Sequence, residues 1–254
     1  MNRRGIHRPR GRAALTDLST ASELLYVFTA LVLGMRLAIL FLTRSAPTGL
    51  LAVALLFGGA PVHALTLLVS TAGFPPSAGF WSLAYALLIV SGGVASTCVM
   101  QFSHEVFAPR RRWLPALAAV LACFYALVAV TVPFSGGRPR ETPLGVAFFA
   151  VVATVFVWAS AEGFRCWARY RRTPGLDPLV VERFRLWAVA TSSQVVVVAL
   201  TLASWGDPVV AGASAAMGLI SSVALWLAFL PPRWFASWLR RERLPLSGTH
   251  PVVP

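Results

Sequence analysis

The sequence contains no lysine, and all 22 of its basic residues are arginine. That absence removes whole chemistries, because a retinal Schiff base, a pyridoxal phosphate aldimine and a P-loop each require a lysine amine. Charge of either sign is scarce, at 12% of residues, with only 9 acidic side chains. A soluble domain is about a quarter charged, so a water-soluble core of this length would lack the polar residues to cover itself. Cysteine is limited to Cys98, Cys123 and Cys166, isolated and without C-x-x-C spacing. Neither a disulfide framework nor a zinc site is expected from them.

What is present is apolar: 57% of residues are hydrophobic and the mean hydropathy is +0.72. Intrinsic disorder is excluded, since it requires low hydrophobicity. A net charge of +13 on a soluble chain would point to nucleic acid. Here the arginines cluster between long apolar runs, the pattern of membrane-flanking charge, so no nucleic-acid partner is expected. The composition describes a polytopic membrane protein in the lipid bilayer.

About 20 apolar residues cross a bilayer as a helix, and seven stretches qualify. They run over Ser22–Leu42, Thr48–Ser70, Gly79–Phe102, Trp113–Pro133, Pro143–Ser160, Leu186–Trp205 and Val209–Leu230. Breakers stand between them, among them Gly73-Phe74-Pro75-Pro76, Ser135-Gly136-Gly137 and Gly206-Asp207-Pro208. Continuous apolar runs exclude the dyad alternation of β-barrel strands. The expected fold is all-α: a seven-helix transmembrane bundle over 21–231, a basic N-terminal tail over 1–20, and a juxtamembrane segment over 232–254.

Arginine sets the expected orientation. Arg44, Arg110, Arg111, Arg112, Arg165, Arg169, Arg171, Arg172, Arg183 and Arg185 follow odd-numbered spans, and Arg233, Arg240, Arg241 and Arg243 follow the seventh. The opposite loops hold only Arg138 and Arg140. The C-terminus is therefore expected in the cytoplasm, although Arg3, Arg4, Arg8, Arg10 and Arg12 argue against export of the N-terminus. The segment containing Arg233, Trp234, Trp238, Arg240 and Arg241 reads as an interfacial amphipathic helix. Its arginines, with Arg169, Arg171 and Arg172, are candidates for contact with anionic lipid headgroups or a cytoplasmic signalling protein.

Two ionisable residues inside the spans are taken as candidates for ligand or proton sensing. His63 lies near the middle of the second span, beside Pro61 and the Gly58-Gly59 pair, where an imidazole can sense protons or hold a ligand. The plainer alternative is a hydrogen bond to a neighbouring helix. Arg36 either snorkels toward the headgroups or makes an internal contact. His104 falls at the end of the third span, at a different depth from His63, so the two do not define a metal or haem site. Gly212-Ala213-Ser214-Ala215 has the form of an intramembrane serine protease motif, but no later transmembrane histidine exists to activate the serine. Ser214, Gly218 and Ser222 read instead as a helix-packing face. No catalytic residue, metal or cofactor is expected.

The seven spans resemble the seven-transmembrane sensor regions of bacterial signalling proteins. That resemblance rests on the Arg-Tyr-Arg-Arg-Thr-Pro-Gly stretch at 169–175, the Arg183-Phe184-Arg185-Leu186 entry to the sixth span and the Leu-Pro-Pro-Arg-Trp exit at 230–234. It implies a sensor or receptor-like module in a bacterial cell membrane. In such proteins a histidine kinase, cyclase or phosphatase follows the bundle. Only eleven residues follow Arg243, so this chain is expected to act through a separate partner. The alternatives are a small-solute or proton transporter and a non-catalytic membrane subunit or assembly factor.

Overall fold

The computed structural model describes residues 10–44, 48–71, 78–107, 112–132, 141–203 and 208–242. Helix α1 is Arg10–Arg44. Helix α2 is composite: α-helical over Thr48–Val53, π-helical over Ala54–Gly59 and α-helical again over Ala60–Thr71. The remaining helices are α3 (Ala78–Phe107), α4 (Leu114–Thr131), α5 (Pro143–Tyr170), α6 (Pro178–Ala203), α7 (Pro208–Phe229) and α8 (Arg233–Glu242). Helices α1 to α7 each contain a segment long and apolar enough to cross a membrane, so the all-α polytopic bundle stands. Arg3, Arg4, Arg8, Arg110, Arg111, Arg138, Arg140 and Arg243 lie outside the described residues, as do the side chains of Arg10, Arg12, Arg44 and Arg241.

The packing order closes a ring. Helix α1 packs on α2 and α7, α2 on α3, α3 on α5, α5 on α6, and α6 on α7, while α4 leans on α3 from outside. In lipid, burying leucine against leucine gains little, so close packing and interhelical hydrogen bonds hold such a bundle. Glycine provides the closest approach. A Cβ at Gly58 would sit 2.5 Å from Ala95 Cβ and 2.8 Å from Ala95 N, so only a residue without a side chain lets α2 meet α3 there. Polar ties recur between helices. Ser22 Oγ donates to Ala215 O (2.8 Å), Gln194 Nε2 to Ser221 Oγ (3.0 Å) and Ser160 Oγ to Ala188 O (3.1 Å).

The outer surface is oily. Leu42 is 80% exposed, Val209 71% and Val130 67%, and a soluble protein does not tolerate such continuous apolar exposure. These side chains form the lipid-facing belt.

The expected cytoplasmic loop from Arg165 to Arg185 is corrected by the structure. Helix α5 runs on to Tyr170 and α6 begins at Pro178, leaving a turn over 171–177. Arginine on a helix extending past the bilayer does not end that helix, and here two of the arginines pair along it. Arg165 bonds Glu162 at 3.1 Å and Arg185 bonds Glu182 at 2.7 Å. The turn itself is closed by Gly175 at φ +81, and Asp177 Oδ1 accepts from Leu179 N at 3.0 Å to cap α6. The expected basic tail over 1–20 is likewise helical from Arg10 onward, continuous with the first span.

Helix α8 follows Pro231-Pro232, where missing backbone donors break the chain. Phe235 and Leu239 are buried against Leu179 of α6, whereas Trp234 and Trp238 face outward. Arg240 reaches Asp177 at 3.4 Å. The segment is thus an amphipathic helix, with Phe235 and Leu239 on the packed face and Arg233, Trp234, Trp238 and Arg240 exposed.

Candidate functional site

A cavity of about 280 Å³ opens within the bundle, lined by residues of α1, α2, α3, α5, α6 and α7. The lining positions fall in the middle of the bundle and in the half away from the arginine-rich turn and α8. Thus Glu23 and Tyr26 are near the start of the first span, Phe148 and Phe149 near the start of α5, and Val210 near the start of α7. Most of the wall is apolar. Helix α5 contributes Phe148, Phe149, Val152 and Phe156, and α2 and α3 contribute the small residues Gly58, Gly59, Gly92 and Ala95.

The polar groups concentrate on α1 and α2. His63 Nδ1 bonds the Glu23 Oε2 carboxylate oxygen, and the imidazole stacks on Tyr26 with ring centroids 3.8 Å apart at 31°. Glu23 and Tyr26 are three residues apart, so they share a face of α1. The π-helical segment ends four residues before His63. Each residue inserted by such a turn rotates the downstream part of the helix by about 100° relative to a regular one, and π-helical turns frequently mark functional sites. An acid and an imidazole held together within candidate spans and lining a cavity make this pair the candidate site.

The structure places the other sequence candidates elsewhere. Arg36 is exposed on α1, and thirteen residues from Glu23, about 20 Å along the helix. It does not join His63. Arg169, Arg171 and Arg172 are exposed near the α5–α6 turn, and the Arg171 guanidinium lies 4.6 Å from the centroid of the Trp167 ring. Together with Asp177 and Arg240, Arg171 and Arg172 border an open groove. Arg233, Trp234, Trp238 and Arg240 are exposed on α8, and Arg241 lies in the same helix. His104 Nε2 is buried without a hydrogen-bond partner among the described residues.

The expected packing faces divide. A Cβ on Gly218 would meet Ser22 Oγ at 2.9 Å and Ser222 is buried, but Ser214 lines the cavity. Glu23 is the residue that sequence reading missed. Near the boundary of a span it looks like an ordinary helix-start carboxylate, and its partner lies forty residues away on another helix. The available signal was its sharing of a helical face with Tyr26.

The cavity does not continue to the arginine-rich end. Leu33, Leu37, Leu51, Val99, Phe102, Trp187 and Leu225 pack there as one buried cluster. Trp187 sits at its centre, 5.1 Å from Phe102 and 6.4 Å from Phe229 between ring centroids. A one-sided cavity above a closed aromatic plug can bind a small molecule without giving it a path through. No family model, curated protein or solved structure matches this chain.

Proposed function

We propose that this membrane protein is a sensor that binds a small molecule in the cavity between its helices and passes the event to a separate cytoplasmic partner. The observation carrying this reading is the one-sidedness of the cavity. Ligand sites of this kind are concave, mostly apolar and furnished with a few polar groups, and Glu23, His63 and Tyr26 supply them. The aromatic plug around Trp187 favours binding over conduction. Orientation by arginine puts the cavity on the outer side of a bacterial cell membrane and the α5–α6 turn and α8 in the cytoplasm. The likeness to seven-transmembrane sensor regions supports the same assignment, and nothing in the site calls for catalysis.

Proton-coupled transport is the second reading, favoured by the Glu23–His63 pair itself, since intramembrane acid and imidazole groups also build proton relays. One experiment separates the two. Protein reconstituted in liposomes under a pH gradient should move neither protons nor amphiphilic solutes above the protein-free background, while ligand binding should raise its thermal midpoint. Solute or proton flux abolished by His63→Gln would establish transport and overturn the sensor reading.

A further inference from the structure

The cavity's ionisable groups narrow the chemistry of its occupant, given the reading of the cavity as the ligand site. Among the described lining residues those groups are Glu23 and Tyr26 from α1 and His63 from α2. Helices α3, α5, α6 and α7 add only neutral polar side chains there, namely Gln194, Thr201 and Ser214. No arginine lines the wall in a chain whose net charge is +13. A bound anion would find no counter-charge and would face a carboxylate.

The carboxylate is only half used. His63 engages Oε2, and Oε1 has no hydrogen-bond partner among the described residues. The second carboxylate oxygen is therefore left to meet a donor carried by an occupant of the cavity. We infer that the cavity accepts a lipophilic organic cation, an amine or ammonium on a compact hydrocarbon body, with Glu23 as its counter-ion.

Size, access and surroundings agree. An apolar cavity of about 150 Å³ holds benzene, so the space of about 280 Å³ here suits a cage or bicyclic body. Glu23 lies three residues inside the span Thr20–Thr43, about 5 Å deep by helical rise, the depth at which an amphiphilic amine resides with its tail in lipid. Tyr26 and the phenyl rings of Phe148 and Phe149 offer the aromatic faces that favour a desolvated cation.

The test uses the full chain in lipid nanodiscs and titration calorimetry with three probes of one shape: adamantyl amine, adamantyl alcohol and adamantane carboxylate. The amine should bind tightest, by about tenfold or more, as expected for one charge-assisted hydrogen bond. Glu23→Gln should erase that preference and Glu23→Asp should restore part of it, with circular dichroism confirming the helical fold of each. If alcohol and amine bind alike in the wild type, the cavity is a ligand site but the charge assignment is wrong. A folded Glu23→Gln variant that keeps its amine preference also overturns the assignment. If none of the three binds, the cavity is not a ligand site and both readings fall.

Discussion

Glu23 and His63, forty residues apart in sequence, meet side chain to side chain across the α1–α2 seam, with the Tyr26 ring against the imidazole. Their side chains are 21% and 12% exposed, so the pair is neither fully dry nor freely hydrated. A partly buried charged hydrogen bond contributes about 1.5–3 kcal/mol. A double-mutant cycle of Glu23→Gln and His63→Gln, read by thermal unfolding in detergent, should therefore show a coupling of about 1–3 kcal/mol. Strictly additive losses would mean that the contact does not form in the folded protein.

Gly58 tests the packing of α2 on α3. A methyl group there collides with Ala95 backbone atoms, at 2.7 Å from Cα and 2.8 Å from N, which no rotamer change relieves. Gly58→Ala should destabilise by about 1–3 kcal/mol, the usual cost of overpacking. Gly79→Ala, where a Cβ would meet nothing within 4 Å, should be neutral or slightly stabilising. Comparing the two thermal midpoints checks both.

Filling the cavity should abolish binding without unfolding the chain. Val198 lines the space and is only partly buried. Val198→Trp should lose the thermal shift produced by any cavity ligand while gel filtration still shows a single species. An undiminished shift would place the ligand elsewhere.

Topology has a direct assay. Reporter fusions after Arg172 and Arg243 should both report cytoplasm, and a fusion after Gly137 should report the exterior. A cytoplasmic signal after Gly137 would reverse the orientation and put the cavity on the inner side.

The arginines of the α5–α6 turn separate lipid anchoring from partner docking. Replacing Arg169, Arg171 and Arg172 with Gln should remove about 1 kcal/mol of anionic-lipid attraction per residue, measured as reduced binding of anionic lipid to the solubilised protein. If a cytoplasmic partner co-purifies, its recovery should fall in the same variant. Full recovery would assign docking to α8 instead.

Much of the architecture was legible because the bilayer writes its thickness into the sequence. Seven apolar runs became seven helices, and the amphipathic pattern after Pro232 became α8. The helix ends were less legible. Arg165, Arg169, Arg183 and Arg185 read as the ends of apolar runs, but α5 and α6 continue through them. His63 was found because an imidazole among apolar residues is conspicuous. Glu23 was not, since its one local signal, a helical face shared with Tyr26, does not reveal a partner forty residues away. Arg36 stayed open between its two readings, because depth along a helix says nothing about which side of it a side chain takes, and the structure leaves it exposed.

The contact between Gly58 and Ala95 gives the cavity one unyielding wall. Main chain against side-chain root cannot be compressed, and no torsion is free to swing aside. Phe148, also in the lining, packs edge-on against Tyr125 and Phe149, and a Cβ on Gly92 would lie 3.0 Å from its ring. The volume of the chamber is thus set by positions where a single added methyl group has nowhere to go.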